Sequence, residues 1–187
     1  MSAEVEADED ARLGIYRAFA QAGRSASTRE LAVAVGRDDQ SVRASIRRLA
    51  EARHLALDDD GEIVLAHPFA TRNIGFSVMG ATRLWWGGCA WDSFAIPHLV
   101  PDEPNVLVAT RCPNCEKPLA WNVNRHEPPA GPEVAHFLVP MHAVWDDVVH
   151  ACSHQQIFCS PAEALPQGTD APLARRPSLS PRYAPGP

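Results

Sequence analysis

A single lysine, Lys117, among 187 residues and a formal net charge of −6 at neutral pH set the first limits. Gripping a phosphate backbone takes a concentration of Lys and Arg, so a general polyanion binder is excluded. No run approaches the roughly 18 uninterrupted apolar residues that a membrane span needs. The N-terminus is acidic where a secretory signal would be basic and then apolar. The chain therefore reads as soluble and cytoplasmic, with no membrane partner. Internal repeats are lacking, and the eight histidines are scattered without ligand spacing, so His98, His136 and His142 read as structural. Five cysteines would leave one unpaired in a secreted disulfide framework. In a reducing cytosol such thiols serve more often as metal ligands or catalysts.

What is present is enough apolar residue, 45% of the chain, to bury one good core or two small ones. Residues 1–10 form an acidic, apolar-poor lead expected to fray. From Ala11 to Ala22, Leu13, Ile15, Tyr16 and Phe19 recur at helical spacing until Gly23 stops the pattern. Ser27-Thr28-Arg29-Glu30 has the form of a capping box opening a second helix. Asp38 or Asp39 can cap a third, with Val42, Ile46, Leu49 and Ala50 on one face. Leu55-Ala56-Leu57 and Ile63-Val64-Leu65 then flank an Asp-Gly turn, the signature of a hairpin. Helix, helix-turn-helix and hairpin over residues 11–68 outline a winged helix.

That outline invites a nucleic-acid role, and the third helix does carry Arg43, Arg47 and Arg48. Residues 1–68, however, hold nine arginines against thirteen carboxylates, a net of −4, and the hairpin tip is Asp58-Asp59-Asp60. An acidic wing repels the backbone it would have to grip. The module is expected to pack on the second domain and not to bind nucleic acid.

Over residues 69–165 the pattern changes to short apolar runs separated by Pro, Gly and Asn: Ile74–Met79, Val106–Ala109, Leu119–Trp121 and Ala135–Val139. These suit a small sheet. Leu84–Val100 reads as one helix ending near Pro97. Residues 166–187 are dominated by Pro, Ala, Arg and Ser and read as a disordered tail. The fold class expected is α+β, a winged-helix-like module followed by a small mixed domain.

Two segments in that second domain carry chemistry: Gly87-Gly88-Cys89-Ala90-Trp91-Asp92 and His150-Ala151-Cys152-Ser153-His154. Each sets one thiol among small or aromatic residues, and the first adds a carboxylate three residues on. Thiolates are the ligands a soft cation prefers. Two sulfurs on such a cation push electron density toward a carbon bound to it, and a carboxylate can deliver the proton that this carbon then accepts. Trp85, Trp86 and Trp91 read as core or pocket wall.

Cys89-Ala90-Trp91-Asp92, continued by Ser93-Phe94-Ala95-Ile96-Pro97, resembles the Cys-Ala-x-Asp-x-x-x-x-Pro segment of the organomercurial (alkylmercury) lyases. Ala151-Cys152-Ser153-His154 through Cys159-Ser160 resembles their second cysteine segment, and the order of parts is similar over roughly Leu13–Ala164. The resemblance implies protonolysis of a carbon–mercury bond to a hydrocarbon and Hg(II), in mercury detoxification. It implies Cys89 and Cys152 as the mercury-binding pair and Asp92 as the proton carrier working with them, also beside the metal. It implies an organomercurial substrate and no organic cofactor. Exogenous low-molecular-weight thiols, or a mercuric reductase as partner, would remove Hg(II). The expected order is that Cys89 displaces the carrier thiol, Cys152 joins, and the proton of Cys152 passes through Asp92 to carbon. Two departures are visible: a Pro-rich segment comes soon after the second cysteine segment, and Ser153 stands where some members have another cysteine. Both bear on substrate enclosure and turnover more than on the basic chemistry.

Cys112-Pro113-Asn114-Cys115 has the form of a zinc knuckle, with Cys152, His154 and Cys159 available to complete four ligands. Under the resemblance, Cys112 matches a structural thiol and Cys115 is extra. A non-catalytic module holding zinc or mercury, or a metal-responsive winged-helix regulator, is the alternative reading. Cys112, Cys115 and Cys159 are also candidates to hold or pass on mercuric ion after cleavage.

Overall fold

The computed structural model describes residues 2–164. Its first helix, α1 (Ala3–Ala22), starts well before Ala11, so the acidic lead is helical and not frayed. Ser2 caps it by accepting the Val5 N–H, and Glu4 and Glu6 occupy the first turn, where the helix dipole favours carboxylates. Its buried stripe is Ala7, Ala11, Ile15 and Phe19, four residues apart. Two members of that stripe are alanines, too small to register as hydrophobic periodicity but well suited to a close helix contact.

Helix α2 (Thr28–Val35) opens on the expected capping box: the Ser27 hydroxyl accepts the Glu30 N–H at 3.2 Å and the Glu30 carboxylate accepts the Ser27 N–H at 2.8 Å. Helix α3 (Asp39–Glu51) is capped by Asp38, which accepts the Ser41 N–H. Strands β1 (Ala56–Leu57) and β2 (Ile63–Ala66) form the expected hairpin. The tip is closed by Asp58, whose carboxylate accepts the N–H groups of Asp60 and Glu62. On α3, Arg48 is held by Asp8 at 2.6 Å and Glu4 at 3.2 Å, and Arg43 by Glu62 at 3.6 Å. Two of its three arginines are thus taken up by the chain's own carboxylates.

The hairpin does not end the sheet. Strands β3 (Phe69–Ala70), β4 (Phe76–Met79), β5 (Leu84–Gly87), β6 (Asn105–Arg111) and β7 (Pro118–Asn124) continue it in the order β1-β2-β3-β5-β4-β6-β7. Every pairing is antiparallel. Residue 68 lies between β2 and β3, which pair Leu65 with Ala70 and Ala66 with Phe69, so the sequence boundary at 68/69 falls inside one sheet.

One apolar core spans both halves. Phe19 of α1 stacks on Phe69 of β3 with ring centroids 5.2 Å apart, and the buried Trp85 indole donates to the Phe19 carbonyl at 2.7 Å. Burying an indole removes about 200 Å² from water, worth about 5 kcal/mol of transfer free energy. At Gly23, which ends α1 with a φ of 70°, a Cβ would run into the Leu84 carbonyl of β5. Only glycine allows that approach.

The stretch Leu84–Val100 is not one helix. It splits into β5 and α4 (Ala90–Leu99). Trp85 and Trp86 point to opposite faces of the strand, one into the main core and one onto a second cluster. Gly87 and Gly88 then let the chain turn: a Cβ at Gly87 would collide with Ser93 and one at Gly88 with Asp92. A continuous apolar run carries no periodicity to separate these two states.

The remaining elements are β8 (Val134–Phe137), a 3₁₀ turn over Met141–Asp146, α5 (Val148–Ser153), β9 (Gln155–Phe158), which pairs antiparallel with β8, and α6 (Pro161–Ala164). The 3₁₀ turn and α5 close the second cluster, in which Val144, Val148 and Val149 cover Leu65, Cys89 and Cys152. Among the described residues no helix is long and apolar enough to cross a membrane. The tail expected over residues 166–187 lies outside the described residues.

Candidate active site

Cys89 is the N-cap of α4, with extended backbone (φ −158°, ψ −174°), and Asp92 is the third residue of that helix's first turn. The Asp92 N–H donates to the Cys89 sulfur at 3.3 Å, and the Cys89 thiol donates to Asp92 Oδ2 at 3.2 Å. The Cys89 sulfur takes the N-cap acceptor's place usually held by a hydroxyl, while the carboxylate of Asp92 turns back to the thiol itself. This fixes the thiol and the carboxylate against each other.

Cys152 arrives from the opposite side on α5. That helix is positioned by Asp147, whose carboxylate accepts the His150 N–H at 2.9 Å. Cys152 and Cys89 belong to the same buried cluster and lie near enough to perturb each other's ionisation. All three expected residues therefore meet, and all three are buried.

A fourth residue joins them. His67, in the turn between β2 and β3, places Nδ1 2.8 Å from Asp92 Oδ2. The ligand atoms of His67, Asp92 and Cys152 all lie within 4.8 Å of one another. Trp145 from the 3₁₀ turn stands edge-on to the imidazole with centroids 5.8 Å apart. The other ring nitrogen, Nε2, is buried without a partner among the described residues. His67 escapes a reading of the sequence because nothing in its spacing ties it to a residue 25 positions away. The only local hint is its place beside Pro68, where the character of the chain changes.

The two thiols are electrostatically unlike. Cys89 is pushed far above the ordinary thiol range by the neighbouring Cys152 sulfur, by burial and by the Asp92 charge. Cys152 is lowered: the neighbouring Cys89 thiol outweighs its burial, and the His67 charge adds to the effect. Burial pulls His67 down, but the bond to Asp92 and the charges of Asp92 and Cys152 together raise it.

The other sulfurs lie apart from this centre. Cys112, Cys115 and Cys159 have their sulfur atoms within 4.8 Å of one another. Burial pushes Cys112 up, but N–H groups of Cys115, Cys159 and Asn114 aimed at its sulfur bring it down to about 7. Of the three residues that might have completed the Cys112–Cys115 knuckle, Cys159 alone does so. Cys152 belongs to the first centre, and His154 lies tilted against His150 with ring centroids 4.1 Å apart. An open apolar groove of about 490 Å³ borders the outer face of α4, lined by Trp91, Phe94, Trp121 and Phe137. Its lining does not include Cys89, Asp92 or Cys152. Trp91 is an exposed groove wall, whereas Trp85 is core.

A family model described as alkylmercury lyase (MerB) matches residues 69–170, more than half of the chain. The chain belongs to the alkylmercury lyase family. A solved structure described as the mercury-bound form of MerB2 superposes with a TM-score of 0.60 at 17% sequence identity, covering 85% of this chain and 76% of the other. At that identity the likeness speaks for the shared α+β fold. No curated protein matches. The family match starts at residue 69, so it takes in Cys89, Asp92 and Cys152 and leaves out His67.

Proposed function

We propose that this protein is an organomercurial lyase that cleaves carbon–mercury bonds by protonolysis at Cys89, Cys152 and Asp92. The observation that carries the reading is the junction of two buried thiols with one buried carboxylate that accepts from the Cys89 thiol and lies within 4.8 Å of the Cys152 sulfur. A soft cation needs two sulfurs, and its carbon needs one proton.

The electrostatics favour the reverse of the order expected from sequence. The Cys152 thiolate attacks mercury and displaces the carrier thiol as its thiolate. Cys89 then ligates, and the proton leaving its sulfur passes along the 3.2 Å contact to Asp92 Oδ2. Asp92 delivers that proton to the carbon as the electron pair of the carbon–mercury bond takes it up. The hydrocarbon departs, Hg(II) stays on two thiolates, and Asp92 is a carboxylate again. Low-molecular-weight thiols, or a mercuric reductase, then take the ion in exchange, in a detoxifying cytoplasmic role that needs no organic cofactor.

The test is benzene release from phenylmercuric acetate in excess thiol by the purified full chain. Release that stops in both Cys89→Ser and Cys152→Ser supports the reading. A correctly folded wild type that releases none overturns it.

His67 acts here as a positioning residue. Its charge lowers Cys152, so thiolate is retained at pH values where an ordinary thiol is protonated and is lost as pH falls through the lowered pKa of Cys152. His67→Gln removes that charge and should move the acidic limb of the mercury-capture rate to higher pH, while capture at alkaline pH stays near wild type. An unmoved limb would limit His67 to packing.

A further inference from the structure

We propose that Cys112, Cys115 and Cys159 form a second, three-thiolate site for a thiophilic d10 divalent cation, independent of the carbon–mercury chemistry.

The site is built by three separate elements. Cys112 comes directly after β6, Cys115 closes the β6–β7 turn, and Cys159 comes directly after β9. The turn is a tight knuckle in which the Cys112 N–H donates to the Lys117 carbonyl at 2.9 Å and the Glu116 N–H to the Cys112 carbonyl at 3.0 Å. Glu116 there takes a φ of 59°. Cys115 and Cys159 stand 3.5 Å apart, sulfur to sulfur. Around a tetrahedral zinc with bonds of about 2.3 Å, neighbouring sulfurs lie about 3.8 Å apart, so small side-chain motions suffice to seat the ion. That separation is also well beyond the roughly 2.05 Å of a disulfide.

Burial is graded across the cluster. Cys112 is fully buried, Cys159 half-buried and Cys115 exposed, so the cluster opens to solvent on one side. Three sulfurs with an open fourth position suit zinc or the mercuric ion; a hard cation finds none of the oxygen ligands it prefers in the set. The two ions share this chemistry and differ in where they come from. Zinc would be taken up in the cell, and mercuric ion would arrive after cleavage elsewhere on the protein.

Cobalt is the first probe, added to the reduced full chain as Co²⁺. One equivalent should give a thiolate-to-cobalt charge-transfer band, displaced by zinc and accompanied by proton release. Loss of a second-shell partner alone costs about 10–100-fold in affinity, so Cys115→Ser and Cys159→Ser should each weaken binding roughly 100-fold. Both side chains reach the surface, which spares the core that Cys112→Ser would disturb. The same titration on Cys89→Ser/Cys152→Ser keeps the first centre out of the reading and should retain the band. Metal analysis separates the sources. Zinc in the protein as isolated marks a resident ion, and mercury retained by Cys89→Ser/Cys152→Ser after exposure to mercuric chloride marks a cargo. Either one, lost with Cys115 and Cys159, supports the site. No band in wild type, or a band that survives Cys115→Ser/Cys159→Ser, overturns it, whatever benzene release shows.

Discussion

Asp92→Asn should capture phenylmercuric ion about as tightly as wild type and lose turnover by about 10²–10⁴-fold, the range that a positioned proton carrier contributes. The asparagine amide keeps the shape that Gly88 makes room for and can still accept from the Cys89 thiol, so the two sulfurs stay in place. What it cannot do is hold the proton between sulfur and carbon. The check pairs a mass measurement of the protein–phenylmercury adduct with benzene release under single-turnover conditions. Full adduct with almost no benzene is the expected outcome. Normal benzene release would remove Asp92 from the proton path and leave it the structural task of fixing the start of α4.

Cys89→Ser and Cys152→Ser should both abolish turnover and yet differ sharply in capture. With Cys89 replaced, Cys152 still has the His67 charge beside it and should trap the organomercurial on one sulfur at a rate within about tenfold of wild type. With Cys152 replaced, the remaining thiol is the one that burial and Asp92 hold protonated, and capture at neutral pH should slow by about 100-fold or more. The Cys89 retardation should lessen as pH is raised, since hydroxide then supplies the thiolate that the site withholds. Stopped-flow mixing with a phenylmercuric salt, quenched and read by intact mass, gives both rates. Equal rates in the two variants would argue that the thiols are interchangeable and that geometry, not ionisation, sets the order of attack.

Much of this is legible in the sequence because the chemistry sits in short local motifs. Cys89 and Asp92 are three residues apart, and the helix cap that joins them is a local interaction. The N-terminal helices announce themselves through Ser27, Glu30 and Asp38, residues whose hydrogen-bonding habits are set by the adjacent backbone. The helical lead is hidden because alanine weighs little in a periodicity. The burial of Ala7 and the grip of Arg48 on Asp8 emerge only once α1 and α3 are packed. Leu84–Gly87 passes for helix because a strand with one tryptophan in each of two clusters looks uniformly apolar. His67 is hidden because its partner Asp92, on α4, is brought to it by the fold and not by the sequence around it.

The pairing of β2 with β3 across residue 68 reaches beyond architecture. Were the N-terminal segment an interchangeable adaptor, a homologous enzyme could acquire a different one by recombination and keep its chemistry intact. Here the crossover would carry off His67, the residue bonded to Asp92, and would bare the inner edge of β3. Inheritance of the helical segment and inheritance of acid–base behaviour are therefore tied together in this protein. A chimera joined at that boundary should be judged first by the pH at which it begins to capture mercury, and only then by whether it folds.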